Sequence, residues 1–403
     1  MLQHNRISFN HIIMSRHLSS FLYHQQTTNY KICIKNAQFI NVLNNILIIK
    51  QNKEMDFFHS QLFNSSISLT PNEDDVLIKN SVFKQIKSKK DGAAIYFHSQ
   101  NSKLTIISCG FTLCHSSEAG GALFFNGASL NISNTCFLGC ISQTYGQALS
   151  VETTDESINS YEYMSISQCS PKRSPGSKQC IFLSHGKQCL ANLNSSSNHV
   201  VEFGSCFCTA YTTSLSLHFT NFVGNSGKNG FWFYKTKLED SFSYCNIIMN
   251  SIEGEKSSLL TLEQAGILLY EFIFLENSCR TYFCGGVVRL DKCKFDIEDK
   301  TNFHKLCENF DYGNSIFGSA IQISITAMPY HATWDCWAFG FPSPTPSRSL
   351  QPIEAASDNA VSGFSLFLLL IIIGGISGSL VFYVYSSYLI GNKKNNLENL
   401  QIG

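Results

Sequence analysis

The sequence predicts an all-β protein, a right-handed parallel β-helix followed by one C-terminal transmembrane helix. Three observations lead to this prediction: two short motifs that recur about every 26 residues, alternating apolar and polar runs between them, and an uncharged apolar stretch near the C-terminus. The predicted organisation is an N-terminal segment (1–29), a β-helix (30–338), a stalk (339–360), a transmembrane helix (361–388) and a short tail (389–403).

The first motif is a glycine followed by small residues and then by strand-like alternation. It occurs as DGAAIYF (91–97), GGALFF (120–125), GQALSV (146–151) and GGVVRL (285–290). Glycine adopts positive φ without steric cost, so these residues are expected at a tight corner where a Cβ would clash. Gly127, in contrast, is expected to be an ordinary loop glycine. The predicted corner glycines are Gly92, Gly120, Gly121, Gly146, Gly285 and Gly286.

The second motif is a Phe in a turn, followed three residues later by a small or polar residue. It reads FTLC at Phe111, FLGC at Phe137, FVGN at Phe222 and FLEN at Phe274. The residues Asn225, Asn250 and Asn277 recur at intervals of 25 and 27 residues, and IIMN supplies the middle one. We expect their amides to turn inward and to hydrogen-bond neighbouring coils.

Two cysteines, Cys114 and Cys140, occupy the same motif position in earlier repeats, 26 residues apart. Equivalent positions on neighbouring coils lie about 4.8 Å apart, inside the Cα separation of about 4.4–6.8 Å that a disulfide tolerates. Two outcomes remain open for this pair, a disulfide or a ladder of buried thiols.

Alternating runs such as KLTIIS (103–108), SLNIS (129–133) and SLSLHF (214–219) precede the Phe motif and indicate strands. Units of 20–50 residues that cannot bury their apolar face alone form stacked-repeat proteins. Helical repeats are excluded because 3.6-residue periodicity is missing, and leucine-rich repeats because their LxxLxL signature is missing. The remaining architecture is a parallel β-helix with ladders of inward Phe, Leu and Ile.

The recurring GGA-[ILV] and FxxN motifs resemble those of the chlamydial polymorphic membrane proteins. They are more similar to those of the polymorphic-membrane-protein-like surface proteins of trichomonad-type protists. The resemblance covers about residues 75–330 and is clearest at 83–151 and 222–290. Chlamydial members end in an outer-membrane barrel, whereas this chain ends in one apolar segment. The resemblance implies a surface-exposed, adhesive protein.

The C-terminal region predicts a membrane anchor. No charged residue occurs from Asn359 to Asn392, which is long enough for the roughly 20 apolar residues that cross a bilayer. The lysines at 393 and 394 predict a cytoplasmic tail and an extracellular bulk, although residues 1–29 make a poor export signal. Gly374 and Gly378, four residues apart, would allow weak self-association through the span.

The charge and cysteine content give no indication of a nucleic-acid or metal partner. The 29 basic and 29 acidic residues cancel, which gives no indication of nucleic-acid binding. The 16 cysteines include no CxxC pair, and Cys206 and Cys208 lack zinc-ligand spacing, so we expect no metal and no cofactor. Sequons for N-glycosylation occur at Asn64, Asn131 and Asn194.

An enzyme on this fold would need clustered carboxylates on adjacent coils. The candidates lie in polar, turn-like stretches without a matching cluster one repeat away: Asp74, Asp75, Glu152, Asp155, Glu156 and the SHG sequence at 184–186. The function expected is therefore non-catalytic adhesion or recognition of an extracellular protein or glycan by a membrane-anchored protein. A surface carbohydrate-active enzyme resembling pectate lyases or polygalacturonases is the alternative, and a family copy without present function is a third possibility.

Overall fold

The computed structural model describes residues 5–16, 22–23, 25–26, 30–43, 46–50, 68–69, 75–169, 179–200, 205–236, 241–254, 257–298, 300–301 and 303–318. These residues belong to one compact unit, Met1–Pro342. Within the described ranges the chain is all-β, without a helix, and every strand pairing is parallel.

The strands are β1 (Asn5–Asn10), β2 (Ile13–Ser15), β3 (Leu22–Tyr23), β4 (Gln25–Gln26), β5 (Tyr30–Lys35), β6 (Gln38–Ile40), β7 (Leu47–Lys50), β8 (Ser68–Leu69), β9 (Asp75–Lys79), β10 (Val82–Lys84), β11 (Lys87–Ser88), β12 (Ile95–Ile107), β13 (Gly110–Thr112), β14 (His115–Ser116), β15 (Leu123–Leu138), β16 (Ile141–Ser142), β17 (Leu149–Thr153), β18 (Ile158–Ser167), β19 (Gln179–Ser184), β20 (Lys187–Ser196), β21 (Ser205–Ala210), β22 (Ser214–His218), β23 (Asn221–Val223), β24 (Ser226–Gly227), β25 (Asn229–Tyr234), β26 (Ser241–Ser243), β27 (Asn246–Ile248), β28 (Ser251–Ile252), β29 (Leu260–Glu263), β30 (Gly266–Tyr270), β31 (Ile273–Leu275), β32 (Phe283–Cys284), β33 (Val287–Asp291), β34 (Lys294–Phe295), β35 (His304–Lys305), β36 (Asn309–Asp311) and β37 (Ile316–Phe317).

The chain winds as a parallel β-solenoid whose coils cross three sheets in turn. The first sheet contains short strands such as β13, β23 and β27, the second contains β17, β21 and β25, and the third contains β22, β26 and β30. The long strands β12 and β15 bend at a corner and belong to more than one sheet. The repeat of about 26 residues is thus one coil, and each strand pairs with its copies on neighbouring coils.

The register of the first sheet fixes the alignment of the coils. The residues that pair one above the next are Met14, Phe39, Phe83, Phe111, Phe137, Ile166, Ser195, Phe222, Ile247, Phe274, Phe295 and Phe317. Stretches of this column stack ring on ring, with centroids 4.7 Å apart for Phe83–Phe111 and 4.8 Å for Phe111–Phe137. The predicted ladder of inward Phe residues is present.

The Phe itself lies in a strand, not in a turn. Phe111 is the middle residue of β13, and its side chain is completely buried. The chain turns three residues before it, at Ser108, and two residues after it, at Leu113, where φ is positive. A sequence motif of one Phe and one polar residue marks the coil correctly but does not distinguish a very short strand from a turn.

The solenoid begins before the predicted start at residue 30. Strand β1 pairs in register with β5, and β2 pairs with β6, so residues 5–15 belong to the stack. Phe9 packs partly buried against the core, which gives this segment the apolar contact that a β-coil needs. The last described pairing is Phe295 with Phe317.

The predicted stalk, transmembrane helix and tail, with Gly374 and Gly378, lie outside the described residues. A search of the described part of the chain finds no helix long and apolar enough to cross a membrane.

Candidate functional site

The corners between the sheets of the solenoid position the residues of the candidate site. Corner I joins the third sheet to the first, corner II follows the first sheet, and corner III joins the second sheet to the third. On most coils each corner contains one residue with positive φ, for example Asn80 in corner I, Gln85 in corner II and Tyr211 in corner III. A fourth, glycine-rich corner leads into the second sheet.

Gly92, Gly120 and Gly146 align on consecutive coils in the glycine-rich corner, with φ of 59°, 64° and 61°. The N–H of Gly92 donates to the carbonyl of Ala119, and that of Gly120 donates to the carbonyl of Tyr145. Gly121 is required for another reason: a Cβ there would lie 1.9 Å from the carbonyl oxygen of Gln147 on the next coil.

Gly285 and Gly286 have positive φ but occupy corner III, because they precede β33 of the third sheet. Their alignment with Gly120 and Gly121 is therefore wrong. A glycine followed by alternating residues indicates a strand after a corner without indicating which of the three sheets the strand joins. Gly127 is also misplaced, since it lies inside β15, where a Cβ would meet the rings of Phe125 and Phe97.

A buried column of asparagines lies three residues beyond the first-sheet column. Asn225 Oδ1 accepts from both the main-chain N–H and the Nδ2 of Asn198, and Asn250 Oδ1 accepts the equivalent pair from Asn225, all at 3.0–3.1 Å. Asn277 Oδ1 accepts from Asn250 in the same way. Asn198 was missed by sequence reasoning because Ser195 replaces the Phe that marks the motif.

Cys114, Cys140 and Cys169 continue this column, and all three are buried free thiols. Their S–H groups donate to the carbonyls of Phe83, Phe111 and Phe137 on the preceding coil, just as Asn225 Nδ2 donates to Ser195. Asn and Cys thus share one task, which is to donate a hydrogen bond to a buried carbonyl. Burial, followed by contact with Cys140, raises the pKa of Cys114 and Cys169.

The flanking strands of Cys114 and Cys140 pair in register, Thr112 with Leu138 and His115 with Ile141, which places the two cysteines on neighbouring coils. The sequence left a disulfide or two buried thiols open, and in the structure Cys114 and Cys140 are free thiols.

The sequons differ in accessibility. Asn131 lies in β15 with an exposed side chain, whereas the side chain of Asn194 is only 6 % exposed. A glycan on Asn194 has no room in the folded chain, while Asn131 remains a candidate site. Asn64 lies outside the described residues.

Exposed aromatic side chains occupy corners I and III on neighbouring coils. Phe219 and Tyr244 stand in corner I with φ of 50° and 57°, and Tyr211 stands in corner III with φ of 55°. Their exposed fractions are 46 %, 39 % and 44 %. Positive φ is unusual for a bulky residue and favours Asn or Gly.

These aromatic side chains contact one another along the solenoid. In corner I the rings of Phe219 and Tyr244 stack with centroids 5.1 Å apart, and Tyr244 meets Tyr270 edge-on at 5.7 Å. In corner III the ring of Tyr211 lies perpendicular to that of Tyr234 at 5.1 Å, and Lys235 Nζ lies 5.3 Å from both centroids.

Between the two corners lies the outer surface of the third sheet, which carries polar groups on the coil of β22, whereas Leu268 is exposed on the coil of β30. Ser216 and His218 of β22 point outward, because Leu215 and Leu217 alternate with them and are buried. His218 Nδ1 lies 2.7 Å from Oγ of Ser243. We call this surface, with its rims Tyr211, Phe219 and Tyr244, the aromatic-rimmed face.

A second cluster lies along corner III, one to two coils away. Nδ1 of His185 lies 3.0 Å from Oδ1 of Asp155, and the His185 ring stacks on Tyr211 at 5.3 Å. Burial, then the charge of Asp91, raises the pKa of Glu152, while His185 lowers it. The structure therefore brings the predicted candidates Glu152, Asp155 and His185 into one neighbourhood across two coils.

The remaining acidic candidates do not join this cluster. Asp75 begins β9 and pairs in register with Lys31 and Lys103 on the coils either side, an arrangement that suits a structural charge. Glu156 is exposed, and Asp74 lies outside the described residues. Among the described His, Cys, Asp and Glu residues no group is arranged to hold a metal ion.

Comparison with known proteins adds no relative. A scan of protein-family models, a search of curated proteins and a search of solved structures each found no match to this chain.

Proposed function

We propose that the protein is a membrane-anchored surface protein that recognises an extracellular ligand without catalysis, and that the aromatic-rimmed face binds this ligand. The apolar C-terminal segment and the motif resemblance support the anchoring and the surface location. The face supports recognition, because conformationally restricted aromatic side chains are frequent binding anchors.

The observation that carries the proposal is the choice of residue at corner I. Four other coils place Asn36, Asn80, Asn134 or Asn192 at this position, with φ between 48° and 55°, and one places the exposed Tyr163 there. Phe219 replaces Asn at a backbone conformation that costs a bulky residue roughly 1–2 kcal/mol, and burial does not repay that cost because the ring is 46 % exposed. An unfavourable backbone conformation under an exposed side chain supports a functional hypothesis. Leu113 shares both properties, but Phe219 and Tyr244 differ from it because they form an exposed aromatic pair on neighbouring coils.

Cell binding by the full-length chain tests this proposal. The chain, labelled and kept in mild detergent, is titrated onto candidate host cells and compared with the double variant Phe219→Asn/Tyr244→Asn. We expect the double variant to lose binding and to keep the β-sheet circular dichroism spectrum of the parent.

Leu113→Asn is the matched control, because Leu113 is a bulky residue with φ 53° and 41 % exposure in corner II, outside the face. This control should bind as the parent does. Equal binding by all three proteins would refute a role for the face.

The carbohydrate-active enzyme is a second candidate, favoured by the cluster of Asp155, His185 and Glu152. A carboxyl group whose pKa is raised by burial is suited to act as a general acid, and Glu152 has this property. Release of new reducing ends or unsaturated ends from polysaccharides, abolished by Glu152→Gln, would establish the enzyme. Intact polysaccharides after prolonged incubation favour the non-catalytic proposal.

A further inference from the structure

We infer that the ligand of the aromatic-rimmed face is a neutral carbohydrate chain that runs along the solenoid axis. This inference rests on the proposed function and adds the chemical class and the direction of the ligand. It is carried by the order of groups across the face, by the charges beside it and by its repetition from coil to coil.

On the coil of β22 the order of groups across the face is polar in the centre and aromatic at the rims. Seven residues, Thr212, Thr213 and the five of β22, lie between Tyr211 and Phe219, and the strand alone covers roughly 17 Å at about 3.3 Å per residue. Ser216 and His218 lie between the rims with a hydroxyl and an imidazole group on the outer surface, and the buried hydroxyl of Ser243 lies 2.7 Å from Nδ1 of His218.

A protein partner does not fit this order. Protein–protein interfaces place aromatic and aliphatic side chains at the buried centre and polar groups at the rim, and this face has the reverse arrangement. A sugar chain presents C–H groups on its ring faces and hydroxyls along its edges, so it can pack against an aromatic rim while its hydroxyls bond the polar centre.

The charges beside the face favour a neutral ligand. Lys292 Nζ lies 2.8 Å from the hydroxyl of Tyr270 and 3.7 Å from Oε1 of Glu271. Lys235 is shared between the rings of Tyr211 and Tyr234. These lysines already have partners on the protein, and the whole chain has a formal net charge of +0, so a polyanion gains little here.

The face also repeats along the axis. Phe219 and Tyr244 hold the same corner I position on two consecutive coils, and Tyr270 of the third coil, which contacts Tyr244, is in register with His218 and Ser243 at the end of its strand. Coils are spaced by about 4.8 Å, so a polymer of regular monomers that lies along the axis meets similar groups at each step. Affinity should therefore rise with chain length until the ligand spans the aromatic coils.

The experiment uses the full-length chain on an array of neutral polysaccharides (glucans, mannans and galactans) and anionic glycosaminoglycans. We expect binding to at least one neutral polysaccharide. Titration with oligosaccharides of that polymer should show affinity that rises from one to several units. Phe219→Asn/Tyr244→Asn should weaken binding about tenfold, the scale of lost aromatic contacts, and Leu113→Asn should not.

Tyr211→Asn, on the opposite rim, is a second variant that tests the site if the double variant fails to fold. Binding to anionic glycans alone would overturn the inference. Cell binding that depends on Phe219 and Tyr244 without any polysaccharide binding would also overturn it, and would leave the proposed function standing with a protein ligand. If the parent protein binds neither cells nor glycans, the proposed function itself is refuted.

Discussion

Replacing Asn225 with Ala should strongly destabilise the solenoid. Asn225 is 2 % exposed and joins three coils: its Oδ1 accepts two hydrogen bonds from Asn198, and its Nδ2 donates to the carbonyl of Ser195 at 2.9 Å and to Asn250 Oδ1 at 3.1 Å. Alanine removes all four hydrogen bonds and leaves the partners in place.

The magnitude follows from the groups that lose a partner. Asn250 Oδ1 keeps the main-chain N–H of residue 225 as a donor, and Asn198 Nδ2 keeps the carbonyl of Ile166. The main-chain N–H of Asn198 loses its acceptor, whereas the carbonyl of Ser195 stays in the ladder between β20 and β23. A buried polar group left without a partner costs about 1–3 kcal/mol, and the lost bond to Ser195 adds about 0.5–1.5 kcal/mol, so we expect a loss of about 2–4 kcal/mol.

Urea unfolding of the full chain, followed by circular dichroism, measures this change. The matched control is Asn80→Ala, an exposed corner asparagine whose Nδ2 makes one 3.3 Å bond to Asn36, and it should cost about 1 kcal/mol from its positive φ alone. Asn225→Cys should cost less than Asn225→Ala, because a thiol makes the equivalent carbonyl contact elsewhere in the column. If Asn225→Ala and Asn80→Ala cost the same, the column does not stabilise the fold as argued.

Three further predictions concern other positions. Gly121→Val should destabilise by about 3 kcal/mol or more because it strikes backbone, and Gly127→Val by about 1–3 kcal/mol because it meets only the rings of Phe125 and Phe97; equal losses in urea unfolding would contradict the corner assignment. Burial raises the pKa of Glu152 above 4.5, so the fold favours the neutral form and stability falls as pH rises above about 4.5. Glu152→Gln should therefore be more stable than the parent at pH 7 and equal to it at low pH, and a pH-independent difference would exclude this cause. Burial raises the pKa of Cys109 and Cys245 to about 12, so iodoacetamide should label them only in denaturant, and a non-reducing peptide map should show no link between Cys114 and Cys140.

The sequence predicts the coil because each coil carries the same constraints. Phe83, Phe111 and Phe137 are spaced almost equally and pair in register, since one apolar residue per coil must fill the same place in the core. The motif cannot be recognised on coils where a residue other than Phe fills this place in the core. Ser195 and Ile166 take the Phe position, which hides the motif and its asparagine, Asn198, from a pattern search.

The candidate site is harder to predict because its residues are not periodic. Tyr211 and Phe219 are separated by one strand, and only the assignment of His218 as the last residue of β22 shows that Phe219 lies in a corner. A sequence gives no sign that an aromatic residue has positive φ. Asp155 and His185, 30 residues apart, meet because the coil between them is longer than the average repeat.

The stability of Phe219→Asn tests the central claim most directly, which is that corner I retains an aromatic residue for a ligand at the expense of the fold. Asn adopts the left-handed conformation readily, so the substitution removes the roughly 1–2 kcal/mol that this conformation costs a bulky residue. It also loses one ring stack, which is worth about 0.5–1.5 kcal/mol. Urea unfolding should therefore show a variant between about 0.5 kcal/mol less stable and about 1.5 kcal/mol more stable than the parent. A variant that is more than about 1 kcal/mol less stable would show that Phe219 serves the fold and would contradict a ligand-binding role for this face.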